Sequence, residues 1–192
     1  FPVIIKDAGV VADNEKKIIN KFRILSKESK LIITTGGVSV GDADYIRDAL
    51  LKIGSINFWK ISIKPGRPLA FGTIGSSYFF GLPGNPVSTS VTFDLFVRPA
   101  IYKILSLGKR KDITIKATLV GALKKKRRKV EYKRWILFKK EGKDYVKASG
   151  LQGSNILSSL AIANCYIKLG MDIENIKESE IVTTIPFEVS HE

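Results

Sequence analysis

A chain of 192 residues with 44% apolar and 26% charged content can bury one medium or two small hydrophobic cores, as a soluble globular protein does. One cysteine, Cys165, and one histidine, His191, exclude a disulfide framework and a Cys/His metal site, so any metal is expected on carboxylates. The formal charge of +14 points to an anionic partner, but it divides into about +8 up to residue 110 and about +6 after it, too diffuse to indicate nucleic acid.

No apolar run approaches the roughly 20 residues that a membrane span requires. The opening "FPVIIKD" has no charged leader or cleavage site, so a cytoplasmic protein is expected. Methionine occurs only at Met171 and the chain opens on Phe1, which reads as a piece of a longer protein.

From the start, "PVIIKDAGVV" reads as strand and turn. In "DNEKKIINKFRILSKES", Ile18, Ile19, Phe22 and Leu25 share one helical face, with Asp13 or Asn14 as N-cap. Residues 31–35 are a β-branched strand running into the glycine turn of "TTGGVSVGDADY", and a helix follows from about Asp44 to Ile53. "INFWKISI" alternates as a strand. "LAFGTI" and "SYFFGL" form a hairpin through "GSS", and "NPVSTSVTFDLFVRPAIYKIL" is a long helix entered through Pro86. Parallel strands covered by helices are expected. After "SLGKRKD" the texture turns to alternating strands: "ITIKATLVGAL", "VEYKRWILFKK", "DYVKAS", "ANCYIKL" and "SEIVTTIPFEV". A boundary near residues 107–112 divides an α/β domain, 1–109, from a small β domain, 110–192.

Three stretches carry candidate chemistry. Strand, glycine pair and helix together hold an anion, because free N–H groups and the helix dipole point into the turn. Gly36, Gly37, Ser39 and Gly41 are the candidates, and Gly36 and Gly37 serve equally well as a tight turn. Asp42 and Asp44 beside an anion fit a bridging divalent cation, although as N-caps they need no other explanation. In "FWKISIKPGRPLAFG", Lys60 and Lys64 lie four apart on one alternating strand. With Arg67 they bring three cations to one strand end, unless they only solvate an edge strand. In "FFGLPGNPVSTS", Pro83 and Pro86 bracket Gly84 and Asn85, and Ser88 adds to a helix N-terminus that suits an anion or simply joins strand to helix.

Taken jointly, "TTGGVSVGDADY", "KISIKPGRPLAFG" and "GLPGNPVSTSVTF" resemble the molybdopterin molybdenumtransferase family, the bacterial MoeA proteins and the E domain of gephyrin. The resemblance implies a three-layer α/β/α molybdopterin-binding domain of the MoeA/MogA type followed by a small all-β C-terminal domain. It implies insertion of molybdate into adenylylated molybdopterin with release of AMP, assisted by Mg²⁺. By matching positions, Asp13 and Asp44 are the acidic and metal-holding residues, and Lys60 and Lys64 join them as catalytic residues. Gly36, Gly37, Ser39, Gly41, Asp42, Arg67, Pro83, Gly84, Asn85, Pro86 and Ser88 face the cofactor.

In the β domain, "KVEYKRW" places Arg134 at the site and "GLQGSNILSSLAIANCYIKL" places Ser154 there, with Leu151 where the family carries histidine. Family members have further N-terminal domains, the first strand and helix of the α/β domain, and a site completed across a homodimer. This piece alone is therefore expected to be inactive. Contact with the pathway's adenylyltransferase is a further expectation. An adenylyltransferase of the same fold, or a non-catalytic scaffold, are the alternatives. The run "KKKRRK", 124–129, lacks interleaved aromatics and reads as a solvated loop; no nucleic-acid or membrane partner is expected.

Overall fold

The computed structural model describes residues 2–38, 45–108, 113–125, 128–153 and 155–187. Ser39, Gly41, Asp42, Asp44 and Ser154, all candidates from sequence, lie outside the described residues.

Helix α1 (Glu15–Glu28) starts at Asn14, whose side chain accepts from the Lys17 N–H, and it buries Ile18, Phe22 and Leu25. Strand β1 (Leu31–Thr35) and helix α2 (Tyr45–Ile53) follow, then strands β2 (Gly54–Lys60), β3 (Ile63–Lys64), β4 (Pro68–Ile74) and β5 (Ser77–Leu82). The long helix after Pro86 is one run with a wider central turn: α3 (Pro86–Thr92), a π segment (Phe93–Val97) and α4 (Arg98–Ile104).

Strands β1, β5, β4 and β2 make one sheet in that order. Only β1 and β5 pair in parallel; β4 runs antiparallel to both β5 and β2. Parallel strands and a hairpin were both expected; the β4–β5 hairpin gives one reversal, and β2 adds another that the sequence did not indicate. Strand period two divides the sheet's faces. Phe79, Ala70 and Ile32 pack with α1 and α2, while Phe80, Leu82 and Leu69 pack with Val97 and Ile101 of the helix run. The result is a three-layer α/β/α arrangement, as expected.

The remaining elements are strands β6 (Ile115–Leu119), β7 (Leu123–Lys124), β8 (Val130–Lys140) and β9 (Lys143–Ala148), helix α5 (Ser158–Ile162), and strands β10 (Cys165–Leu169), β11 (Asn175–Ile176) and β12 (Ile181–Pro186). Pairings run β10–β12–β6–β9–β8 and return to β10, closing a ring. Closure removes most free edges. Ala117, Leu119, Trp135, Val146, Cys165 and Ile167 fill its interior.

Three local expectations change. Residues 2–12 form no strand, and Ile4, Ile5 and Val10 are exposed; a β-branched run becomes a strand only where a neighbour pairs with it. "INFWKISI" is not one strand. It breaks at residues 61–62, so Lys60 ends β2 in the first sheet while Lys64, in β3, pairs in parallel with β8 of the ring. Lys60 and Lys64 therefore do not share a strand face. The basic run at 124–129 is not wholly solvated either. Lys125 is buried, and its ammonium donates to the carbonyls of Met171 (3.2 Å) and Ile173 (2.8 Å). Among the described residues no helix is long and apolar enough to cross a membrane.

Candidate active site

Seven of the described candidates line two clefts, and Lys60, Pro83, Gly84, Asn85 and Pro86 line neither. The first, about 430 Å³, runs beside β1 and is lined by Asp7, Asp13, Lys21, Thr34, Gly36 and Gly37, among others. Strand β1 pairs only with β5 among the described residues, so its other edge faces this cleft. Gly36 (φ 80°) and Gly37 (φ 66°) turn the chain out of β1, in the left-handed region that side chains disfavour. The Gly36 N–H donates to Leu82 O at 3.1 Å. Asp7 Oδ1 accepts from the Gly9 N–H at 2.8 Å. The hydroxyl of Thr34 is buried with no hydrogen-bond partner among the described residues.

Oxygen donors suit Mg²⁺, which takes one or two carboxylates together with substrate phosphates and water. Asp13 is exposed and lines the same cleft as Asp7, so the donor chemistry fits. The described residues contain no group of three metal-binding side chains, and Mg²⁺ of this kind does not need one.

The second cleft, about 440 Å³, lies where the two domains meet. Lys64, Pro65, Arg67 and Ser88 line it from the α/β domain, and Lys129, Glu131, Lys133, Arg134, Gln152 and Gly153 from the β domain. It gathers Lys64, Arg67, Ser88 and Arg134 from the sequence candidates, but not Lys60, which is absent from the lining.

Arg134 is the largest side chain that is fully buried, at 1% exposure. Its Nε donates to Ser159 Oγ (2.9 Å) and an Nη to Gly153 O (3.0 Å). Gln152 bonds the Arg134 backbone twice, accepting from its N–H at 3.0 Å and donating to its carbonyl at 2.8 Å. Ser149 donates to the same carbonyl at 2.7 Å. Burial pulls the guanidinium below its ordinary value, with Tyr166 acting against this. Arg134 thus anchors the 149–153 loop and α5 behind the cleft.

Glu131, also buried, stands between two lysines, with Lys64 Nζ and Lys133 Nζ each 3.8 Å from one of its oxygens. Burial lowers the Lys133 ammonium pKa; Glu131 raises it, and Lys64 and Arg134 lower it further. Neither Glu131 nor Lys133 was identified from sequence. A signal existed: both have the parity of Trp135 and Leu137, which pack in the ring's interior, and charge on a core-facing parity needs a reason.

The loop of Pro83, Gly84, Asn85 and Pro86 passes beside Gly36 and leads into α3. Pro83 is buried, and its carbonyl accepts from the Thr89 hydroxyl. A Cβ on Gly84 would stand 3.3 Å from Gly36 Cα, and one on Gly66 would meet Thr92 Cγ2 at 2.4 Å. The Pro-Gly-Asn-Pro loop is therefore packed on the glycine turn, and the Lys-Pro-Gly turn on the end of α3, where Gly66 (φ 103°) leaves no room for a side chain. Asn85 Oδ1 accepts from the N–H groups of Val87 (3.2 Å) and Ser88 (3.3 Å). The start of α3 is capped by its own chain, as the strand-to-helix reading of this loop allows.

On the other side of the seam, the Tyr166 hydroxyl donates to Asp94 Oδ2 at 2.9 Å, and Asp94 Oδ1 also receives Arg98 Nε (3.1 Å) and Nη2 (2.8 Å). Burial, then Asp94, push the Tyr166 phenol well above its ordinary value. It remains a donor and ties β10 to the π segment.

Residues 2–103 match the family described as probable molybdopterin binding domain, and residues 116–187 match the MoeA C-terminal region (domain IV). The chain is 39% identical over 183 residues to a molybdopterin molybdenumtransferase of Haemophilus influenzae, covering 94% of this chain and 45% of that protein. It is 32% identical over 203 residues to gephyrin of Dictyostelium discoideum, covering 92% of this chain and 28% of that one. The chain therefore spans less than half the length of these relatives. Among solved structures, a molybdenum cofactor biosynthesis protein from Pyrococcus furiosus superposes with a TM-score of 0.71 at 27% identity, over 93% of this chain and 57% of that one. A molybdopterin biosynthesis MoeA protein from Pyrococcus horikoshii gives 0.76 at 23% identity, over 95% and 43%, a likeness of fold.

Proposed function

Because the chain belongs to the family of probable molybdopterin-binding domains and continues into a MoeA C-terminal region, we propose that it is the site-bearing part of a molybdopterin molybdenumtransferase. The parent protein would insert molybdate into adenylylated molybdopterin and release AMP. One observation carries this reading. The seam cleft is lined by Lys64, Arg67, Lys129, Lys133 and Arg134, with Glu131 as the single acid in its lining. Molybdate and the pyrophosphate link of the adenylylated pterin are both oxyanions, and cations in a partly desolvated cleft bind such groups strongly.

In this reading Lys64 and Arg67 receive an oxyanion from one wall, while Arg134, held by Ser159 and Gly153, keeps the opposite wall in place. Gly36 and Gly37, with Ser39, Gly41 and Asp42, take the phosphate end of the pterin. Pro83, Gly84, Asn85 and Pro86 fix the spacing between that turn and the seam, Ser88 adds to its wall, and Ser154 joins them as a cofactor-binding residue. Lys60 acts from outside the seam lining. Asp13, together with Asp44, would hold Mg²⁺, which when bound neutralises phosphate charge. The parent works in the cytoplasm as a homodimer, meets the pathway's adenylyltransferase, and divides near residues 107–112; activity belongs to the complete protein rather than to this piece.

The test is AMP release from adenylylated molybdopterin by the full-length protein. Release that depends on molybdate and Mg²⁺ is the expected result. Formation of adenylylated pterin from ATP without molybdate would overturn it in favour of an adenylyltransferase.

A further inference from the structure

Two lysines of the β domain are largely withdrawn from water and are treated in opposite ways by the fold. Lys125 spends donors on two backbone carbonyls. The Lys133 ammonium, on a side chain 18% exposed, makes no hydrogen bond among the described residues, and its one ion-pair contact there is Glu131 at 3.8 Å. An ammonium has three donors and no acceptor. The Lys133 Nζ is not sealed from water, so its donors stay available to a ligand that enters the cleft.

The position is built rather than incidental. Along β8, residues 131, 133, 135 and 137 share one face, and Lys133 is registered opposite Ile167 and Glu131 opposite Leu169, both in the ring's interior. On the other edge of β8, Glu131 is registered opposite Lys64 of β3. The carboxylate thereby spaces one lysine from each domain on the lining of a single cleft.

We propose that Lys133 is a further anion-binding residue of the seam, and that Glu131 is a positioning residue that holds Lys64 and Lys133 apart at the spacing of one oxyanion. The ligand is a compact, multiply charged oxyanion bound between lysines from the two domains, so the subsite exists only when the domains are docked. This rests on reading the seam as the oxyanion side of the proposed transferase site. Pyrophosphate and molybdate share that chemistry, and separate titrations distinguish them.

The experiment is calorimetric titration of the full-length protein with inorganic pyrophosphate and, separately, with molybdate. Wild type is compared with Lys133→Met, which keeps the apolar stem beside Ile167, and with Lys64→Met. Lys133→Met is expected to weaken at least one anion by on the order of tenfold, as is Lys64→Met, since each loses a charge-assisted contact. Dimethyl-lysine NMR supplies a second readout, in which the Lys133 signal shifts on adding that anion. If Lys64→Met weakens binding and Lys133→Met stays within twofold of wild type with an unmoved signal, the inference fails and the seam reading stands. If neither variant changes binding, or wild type binds neither anion, both fail.

Discussion

The two clefts have nearly the same volume, about 430 and 440 Å³, and opposite construction. The cleft beside β1 is walled by an open sheet edge, an extended segment without strand pairing and exposed carboxylates. The seam cleft is walled by groups whose partners are already in place: Arg134 on Ser159 and Gly153, Gln152 on the Arg134 backbone, Glu131 between two lysines. Size does not distinguish the two. Prior satisfaction of the supporting polar groups does, because a preorganised wall needs no reorganisation when an anion arrives.

That contrast can be broken most easily at Arg134. Arg134→Met should cost about 3 kcal/mol in urea unfolding, since two bonds from a buried cation are lost and their acceptors stranded. Asp13→Ala, in the open cleft, should change stability by less than about 0.5 kcal/mol, as exposed substitutions do. Equal losses would mean the two walls are alike. Tyr166→Phe should cost about 1.5 kcal/mol by removing one bond to a carboxylate, and limited proteolysis should show the two domains separating more readily. Asn85→Ala should cost about 1 kcal/mol through the lost cap on α3, measured by thermal unfolding.

The smallest effect is in pH. Burial holds the folded pKa of Lys133 below its unfolded value of 10.5, so the fold binds fewer protons there than the unfolded chain between those two values. The resulting penalty is full below the folded pKa and is relieved as pH rises through it. Wild type should therefore gain on Lys133→Met as pH increases toward 10.5. Cys165 acts in reverse. Burial pushes its thiol up to about 12, so its contribution declines above its unfolded pKa near 9, and comparison with Lys133→Met at each pH cancels it.

How much of this was legible follows from what a one-dimensional pattern records. Helix α1 was readable down to its apolar face, because Ile18, Phe22 and Leu25 meet the sheet at the spacing their sequence sets. The β4–β5 hairpin was equally plain. Residues 2–12 were misread because a β-branched run records a preference and not the presence of a neighbour. The break at residues 61–62 was invisible since alternation is the same whether a strand stays in one sheet or crosses to another. At the site, the three long motifs led to both clefts and to Arg67 and Lys64, and "KVEYKRW" led to Arg134. The cap that Asn85 gives α3 went unread, although a residue of its type before Pro86 at a helix start is a usual N-cap. Glu131 and Lys133 were passed over as ordinary charged strand residues, although their parity with Trp135 marked them.

The most direct measurement is to crystallise the full-length protein with tungstate, an isostructural stand-in for molybdate, and locate it by anomalous scattering. The account predicts a peak in the seam within hydrogen-bonding reach of Lys64 and Lys133, where cations from both domains converge. A peak confined to the cleft beside β1, with the seam empty, would contradict it.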